Sequence, residues 1–278
     1  MNSMQLKDKL KNISKEKNIP FNALLRLYMY DRFIERLGKS KYKDNFILKG
    51  GFYLSTLFGI ESRTTMDIDT AFRNANFDEK TIIAMIKEIV SIEIDDNAKL
   101  SYLGITLIRD EDEYGGFRVE IQVKIENIKE NFHVDIATGD PITPKEIRYK
   151  YRPILGYKYI SLWAYNVETV LAEKLETILS RIEVNGRMRD FYDIYLIYTK
   201  DWKNINIDYF RKAVNKTFSK REYVGDPFII LDIIKGSKLL SIRWRNYQRK
   251  NDYARNIDFE DIINCLEQII NVIVPVFK

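Results

Sequence analysis

The chain has 278 residues, of which 45% are hydrophobic and 31% charged, and its formal net charge is +5. This balance indicates a globular protein with a substantial core, and because no apolar run reaches about 18 residues it excludes a membrane-spanning helix. A single cysteine and a single histidine exclude an internal disulfide and zinc sites rich in either residue, favour a cytoplasmic location, and leave the chemistry to carboxylates, lysines and arginines.

The first predicted elements are a helical segment and a glycine turn. Apolar residues at helical spacing predict helix over residues 3–37. The run FILKGG then ends in Gly50 and Gly51, and FYLSTLF can begin a helix directly after it. Glycines at such a turn, preceded by Lys49, could cradle a triphosphate on backbone N–H groups, although an ordinary strand-to-helix turn also favours glycine.

The segment MDIDTAF alternates as a strand and carries the main chemical signal. Residues two apart on a strand share a face, so Asp67 and Asp69 should aim both carboxylates into one volume. The opposite face would hold Met66, Ile68 and Thr70. Adjacent carboxylates repel unless a cation lies between them, and Mg²⁺ prefers oxygen ligands and keeps positions for substrate phosphates. A solvated polar strand face is the alternative interpretation.

The order of these two motifs favours a nucleotide- and metal-binding site more than either motif does alone. A strand, a Gly-Gly turn, a helix and a D-x-D strand would bring a phosphate cradle beside two metal ligands. Arg63 and Thr65, just before the aspartates, could hold substrate or orient the acids, or could simply be turn residues.

A helix is predicted over residues 78–94, followed by three strands at 100–108, 117–125 and 132–137, with a turn at 114–116. The third strand contains a further carboxylate, Asp135.

Beside the D-x-D strand, Asp135 would ligate a second metal and help to deprotonate an attacking hydroxyl. An exposed edge-strand acid and a salt bridge to Arg118 are the alternatives. Glu120 is a competing third carboxylate, and His133 is expected to pack or hydrogen bond rather than act as a base.

The pattern becomes helical from about residue 166, which places a boundary near residue 160. Helices are predicted at VETVLAEKLETILSRI, at RDFYDIYLIYTK, and over residues 205–217, 226–238 and 258–274. An α/β domain over residues 1–160 and a helical domain over 161–278 are therefore expected.

Lys174 falls on the apolar face of its helix, seven residues after Val167 and four before Ile178, where lysine is normally excluded. Either its stem snorkels to solvent, or its ammonium reaches an anion such as a nucleotide phosphate. Glu173 and Glu176 lie to the sides of the apolar stripe and are expected on the surface.

The next helix carries two acids, Asp190 and Asp193, three residues apart. Asp190 could be only an N-cap, whereas Asp193 lies deeper in the helix and could fix Lys174, position a base or ribose, or assist the metals. Arg187 and Arg189 could contact phosphate, although a solvated basic turn explains them equally well.

Together these segments resemble the AbiEii/AbiGii-type nucleotidyltransferase toxins of bacterial toxin–antitoxin and abortive-infection systems. The matching motifs occur in order over about residues 20–200: DRFIERLGKSKYKDNFILKGG, RTTMDID, HVDIATGDPITP, ETVLAEKLETILSR and NGRMRDFYDIYLI. The resemblance implies a DNA polymerase β-like nucleotidyltransferase fold, with a mixed sheet flanked by helices, followed by a helical domain.

The resemblance also implies Mg²⁺ and an NTP substrate, without distinguishing GTP, CTP and ATP. It implies transfer of a nucleotidyl group to an acceptor, most simply a tRNA 3′ end, and a role in growth inhibition and antiviral defence. A cognate antitoxin protein is the implied partner, and no membrane partner is expected.

The family positions are phosphate-binding glycines, a metal-binding pair, a helix lysine and a closing acidic motif. In this chain they are Gly50, Gly51, Asp67, Asp69, Lys174, Asp190 and Asp193. The wider superfamily has Gly-Ser where this chain has Gly-Gly followed by Phe52, so Ser55 or Thr56 would have to supply the missing hydroxyl.

Three other functions remain consistent with the sequence: transfer of AMP or phosphate to a protein hydroxyl, non-enzymatic growth regulation by nucleotide binding, and a plain interaction module. They differ in whether label from an NTP reaches RNA, protein or neither, and in whether NTP with Mg²⁺ shifts the melting temperature. The positive charges of the helical half could hold a tRNA backbone.

Overall fold

The computed structural model describes residues 1–108, 115–156, 158–182, 186–273 and 276. Contacts divide the chain into two units, Met1–Gly139 with Ile147–Ala164, and Asp140–Glu146 with Tyr165–Lys278. The first residue of the turn predicted at 114–116 lies outside the described residues. Among those described, no helix is long and apolar enough to cross a membrane.

The helices of the first unit follow local sequence signals. They are α1 (Ser3–Lys17), α2 (Phe21–Lys39), α3 (Gly50–Phe58) and α4 (Glu79–Ser91). The continuous helix predicted over residues 3–37 is interrupted because Asn18 is left-handed, with φ of 52°, and because Pro20 disfavours helix at the residue before it. The Asp78 side chain accepts from Thr81 N and so caps α4.

Seven strands form one mixed sheet in the order β3-β4-β5-β2-β1-β7-β6. They are β1 (Phe46–Leu48), β2 (Ile68–Phe72), β3 (Lys99–Ile108), β4 (Gly116–Ile125), β5 (Ile128–Ala137), β6 (Ile147–Tyr151) and β7 (Ile160–Ala164). The pairs β1–β7 and β2–β5 are parallel and the other pairs are antiparallel. The sequence pattern predicts β1 to β5 but not β6 and β7.

Strands β4 and β5 present one apolar and one polar face. Val119, Ile121, Val134 and Ile136 are completely buried, whereas the residues between them are partly exposed. Alternation therefore places the polar side chains of both strands on the opposite face of the sheet.

The second unit is helical. Its helices are α5 (Val167–Arg181), α6 (Met188–Asp201), α7 (Ile207–Lys220), α8 (Pro227–Gly236), α9 (Lys238–Lys250) and α10 (Phe259–Ile273), of which α9 is not predicted by the sequence pattern. The segment 140–146 joins this unit through Thr143, whose N–H donates to Thr169 Oγ1 at 3.0 Å. The Asn166 amide also donates to Lys145 O at 2.8 Å.

Candidate active site

The glycine turn lies directly against the second aspartate of the D-x-D segment. Antiparallel pairing of β1 with β2 places Leu48 opposite Thr70. Beyond that pair, Lys49 N donates to Asp69 O at 3.0 Å and Gly51 N donates to Asp69 Oδ2 at 3.1 Å. The N-terminus of α3, where unpaired N–H groups and the helix dipole favour anions, therefore begins at this carboxylate.

Both glycines are required by what surrounds them. Gly50 has a φ of +58°, and a Cβ there would lie 2.7 Å from Asp69 Oδ2. A Cβ on Gly51 would lie 2.5 Å from Arg63 Nη2. Arg63 is buried, and its Nη1 donates to Thr64 O. The two glycines thus allow a carboxylate and a guanidinium to approach the start of the helix.

Asp67 lies just before β2 and is partly exposed. Its Oδ1 is 3.3 Å from His133 Nδ1, which gives the histidine the hydrogen-bonding role expected from the sequence. The Thr65 hydroxyl donates to Asp67 O at 3.0 Å, so Thr65 orients the backbone of the acid. Met66 is 57% exposed rather than buried with Ile68, because β2 begins only at Ile68.

Tyr30 of α2 also fixes the D-x-D segment and was missed by the sequence pattern. Its hydroxyl donates to Met66 O at 2.5 Å. Burial raises the pKa of Tyr30, and the charges of Asp67 and Asp69 add to the rise, so the hydroxyl remains a donor. An aromatic residue within an apolar helix gives no sequence signal for such a role.

Asp135 lies beside Asp69, because β5 runs parallel to β2 with these two residues in register. Both of its oxygens accept from Arg118, at 2.8 Å from Nε and 2.7 Å from Nη2. The salt bridge considered as an alternative is therefore present. Glu120 lies opposite His133 and accepts from Asn131, so Asp135 rather than Glu120 adjoins the aspartate pair.

Arg118 is the cation of this carboxylate group. Its hydrogen bonds to Asp135 raise the pKa of the guanidinium, and the charges of Asp67 and Asp69 raise it further. All three carboxylates therefore lie within electrostatic reach of one arginine.

The carboxylate oxygens of this site are ligands that suit Mg²⁺, but they fit only one of its common binding arrangements. Among the residues that the structure describes, no group of three or more His, Cys, Asp or Glu side chains could hold a metal ion by itself. Asp67 and Asp69 fit the other common arrangement, in which one or two carboxylates bind Mg²⁺ together with substrate phosphates. The described part of the chain forms no protein cage of three carboxylates.

The hydroxyls expected to replace the missing serine are engaged elsewhere. The buried Ser55 donates to Phe52 O at 2.8 Å, and Thr56 donates to Tyr53 O at 2.9 Å. Neither hydroxyl can be assigned to a phosphate, and the Gly51 N–H already donates to Asp69, so a phosphate here would have to bind other N–H groups at the start of α3.

In the second unit, Lys174 is bound by Asp190 and Asp193 of α6. Its Nζ lies 2.5 Å from Asp190 Oδ1 and 3.0 Å from Asp193 Oδ2, and all three side chains are largely buried. Asp190 is the third residue of α6 and not its N-cap. Arg187 and Arg189, at the start of the helix, are exposed.

Glu176 corrects the sequence prediction of a surface residue. It is 5% exposed, and its Oε2 accepts from Arg221 Nη1 at 2.7 Å. Arg221 also reaches Asp140 Oδ2 at 3.2 Å. Burial lowers the pKa of Arg221, but the surrounding carboxylates outweigh this and raise it. The charge partner lies 45 residues away, so local periodicity could not reveal it.

Comparison with solved structures supports the fold. A candidate nucleotidyltransferase from H. pylori shares 15% identity over 92% of this chain and 96% of its own, with a TM-score of 0.49. The structure of JHP933 from Helicobacter pylori shares 16% identity over 91% of this chain and 93% of its own, with a TM-score of 0.50. At 16% identity the likeness to JHP933 concerns the fold alone, and it confirms the mixed α/β class.

Comparison with sequence families identifies the chain. No curated protein matches it. The model of the family described as "Nucleotidyl transferase AbiEii toxin, Type IV TA system" matches residues 32–265. This match covers most of the chain and confirms the resemblance drawn from the motifs. The chain is a nucleotidyltransferase and belongs to the AbiEii toxin family of type IV toxin–antitoxin systems.

Proposed function

We propose that the chain uses Mg²⁺ to transfer a nucleotidyl group from an NTP to the 3′ end of a tRNA, and that this inhibits growth until an antitoxin counteracts it. The principal support is the contact between the helix start and the acid pair, in which Gly51 N donates to Asp69 Oδ2 at 3.1 Å. This contact brings anion-binding N–H groups next to two carboxylates that can bind a cation.

In the proposed reaction, the acceptor hydroxyl oxygen attacks the α-phosphorus of the NTP in line with the leaving group. The new O–P bond forms as the bond from the α-phosphorus to the bridging oxygen breaks, and pyrophosphate leaves with that electron pair. The hydroxyl proton passes to a carboxylate of the site; the sequence indicated Asp135 for this role, but both of its oxygens accept from Arg118. Mg²⁺ would neutralise the phosphate charge that these carboxylates would otherwise repel.

The remaining binding roles are proposed from position. Lys49 and the N–H groups at the start of α3 other than that of Gly51 would face the phosphates, and the guanidinium of Arg63 lies against Gly51. Thr65 would hold Asp67 in place through its bond to Asp67 O.

For Lys174, Arg189, Asp190 and Asp193 of the second unit, the motif resemblance implies a role in nucleotide binding, and we propose that role for them. Lys174 would bind phosphate, and its bonds to Asp190 and Asp193 would hold the ammonium in position.

A polyanionic acceptor fits the charge of α9. This 13-residue helix carries five basic residues and no acidic one: Lys238, Arg243, Arg245, Arg249 and Lys250. Lysines and arginines clustered in this way neutralise nucleic-acid phosphates.

The test is incubation of the chain with α-labelled NTPs, Mg²⁺ and total tRNA. Label should appear on RNA, and Asp67→Asn should lower transfer by a factor of about 100 or more, the usual cost of losing an electrostatic stabiliser. Glu120→Gln is the matched control, because Glu120 lies on the same polar face and should leave transfer unchanged.

Label on protein instead of RNA would favour modification of a protein hydroxyl. No transfer to either, with active controls, would refute the proposed substrate pair.

A further inference from the structure

Asp135 is held in a two-point ion pair on the polar face of the sheet. Arg118 donates from Nε to Oδ1 and from Nη2 to Oδ2, at 2.8 and 2.7 Å. Such a fork is among the strongest hydrogen-bonding arrangements of a carboxylate, and it occupies one lone pair on each of the two oxygens.

The backbone sets this pair. Arg118 is in register with Asp135 across the antiparallel pair β4–β5, and Asp135 is in register with Asp69 across the parallel pair β5–β2. The three residues form one row over three neighbouring strands, which are spaced about 4.8 Å apart. The guanidinium therefore belongs to the same row as the carboxylates.

A second metal ion at Asp135 would have to replace Arg118 or bind directly beside its guanidinium charge. The Asp135 side chain is only 19% exposed, so the exchange would separate a partly buried ion pair and leave the arginine beside a divalent cation. The described residues also contain no group of three metal-binding side chains, in agreement with an Asp135 that is already satisfied.

We propose that Arg118 takes the place of the second metal ion, so that the chain works with one divalent cation at Asp67 and Asp69 and a fixed guanidinium beside it. Asp135 is then a positioning residue for Arg118 rather than a metal ligand. Nη1 takes no part in the pair, and the Arg118 side chain is 43% exposed, so the guanidinium can also meet a phosphate oxygen. This inference rests on the proposed Mg²⁺-dependent function.

Electron paramagnetic resonance of Mn²⁺, with a non-hydrolysable NTP analogue, provides the test. Two Mn²⁺ ions about 3.5–4 Å apart give a spin-coupled spectrum, whereas a single bound ion does not. The wild-type chain should show bound, uncoupled Mn²⁺ even with excess metal, and Asp135→Asn and the control Glu120→Gln should match it.

Arg118→Gln should expose Asp135 and produce the coupled spectrum, and adding Asp135→Asn to that variant should abolish the coupling. Arg118→Lys, which keeps the positive charge, should remain uncoupled. Thermal melting of each variant checks that it is folded.

A coupled pair in the wild-type chain that Asp135→Asn removes would overturn the proposal, as would an uncoupled spectrum in folded Arg118→Gln. If the wild-type chain binds no Mn²⁺ at all, the proposed metal-dependent function fails, and the inference fails with it. If Asp67→Asn loses the bound Mn²⁺ while Asp135→Asn and Glu120→Gln keep it, the single ion lies at Asp67 and Asp69 as proposed.

Discussion

Gly50 combines two reasons for having no side chain. Its left-handed backbone, with φ of +58°, costs about 1–2 kcal/mol for other residues. A Cβ would also meet Asp69 Oδ2 at 2.7 Å. The position therefore couples the stability of the turn to the placement of a proposed metal ligand.

We expect Gly50→Ala to lower the free energy of unfolding by about 2 kcal/mol and to weaken NTP binding, because Asp69 must move away from the new methyl group. Denaturant unfolding and NTP titration in the presence of Mg²⁺ measure the two effects. Gly236→Ala is the control, since a Cβ there meets nothing within 4 Å and its φ is not left-handed. Normal NTP binding by Gly50→Ala would contradict the role given to the turn.

Lys174 is bound by two buried acids, Asp190 and Asp193, so replacing its ammonium group should destabilise the fold. The Asp193 side chain is 0% exposed, and Asp190 Oδ2 has no hydrogen-bond partner among the described residues. Removing the ammonium would leave two buried carboxylates without their shared counter-charge.

Lys174→Met should therefore destabilise the chain by about 3 kcal/mol, the usual penalty for breaking a buried pair from one side. Denaturant unfolding without nucleotide measures it. Lys200→Met, at an exposed position of α6, should change stability by less than about 0.5 kcal/mol. Equal stability of the two variants would show that Lys174 is not structurally required.

At the scale of elements, a buried acid links α2 to the strand β6. Asp31 is completely buried, and it accepts from the Tyr151 hydroxyl and from Ile154 N. Burial raises the pKa of Asp31 to about 7, from an ordinary value of 3.8. The folded state therefore retains a proton that the unfolded chain releases near pH 4.

Because the folded-state pKa is the higher one, stability should fall as the pH rises from about 4 to about 7. The contribution is complete below the unfolded pKa and is lost through the folded pKa. Asp31→Asn cannot ionise, and its Oδ1 can still accept from Ile154 N while its Nδ2 donates to the Tyr151 hydroxyl oxygen, so its stability should depend less on pH in this window. Urea midpoints between pH 4.5 and 8 compare the two chains, and identical slopes would rule out this effect of Asp31.

The elements that sequence predicts best are those with a clear apolar period. The strands β4 and β5 alternate, and α5 carries a continuous apolar stripe. The strand β6 reads IRYKY, and only Tyr151 in it is buried, because it is a short edge strand. The helix α9 buries only Leu240 and Trp244, too few for a recognisable stripe.

At the scale of the whole chain, sequence predicts which residues carry charge but not which of them meet. Alternation correctly separated Asp135 from its apolar neighbours. Its pairing with Asp69 spans 66 residues and depends on the strand order β5-β2, which no local pattern encodes. The same holds for Arg118, whose partner could be named only as one alternative.

The chain passes between its two units more than once, so a single boundary near residue 160 does not describe the contacts. The segment 140–146 precedes β6 but belongs to the helical unit. Arg221 holds the segment 140–146 in the helical unit by donating to both Asp140 and Glu176. Thr143 adds its hydrogen bonds to Thr169.

Arg221→Met should release this segment, because it leaves Asp140 and Glu176, 12% and 7% exposed, without the guanidinium. A loss of about 3 kcal/mol corresponds to roughly 100-fold faster exchange of the Thr143 amide hydrogen. The amides of β1 and β2 should exchange as before, since they belong to the other unit, and Lys216→Met on the exposed side of α7 should alter neither. Unchanged exchange at Thr143 would mean that the hydrogen bonds of Thr143 and Lys145 to α5 and its N-cap retain the segment, and that the ion pairs of Arg221 are not needed to keep it in the helical unit.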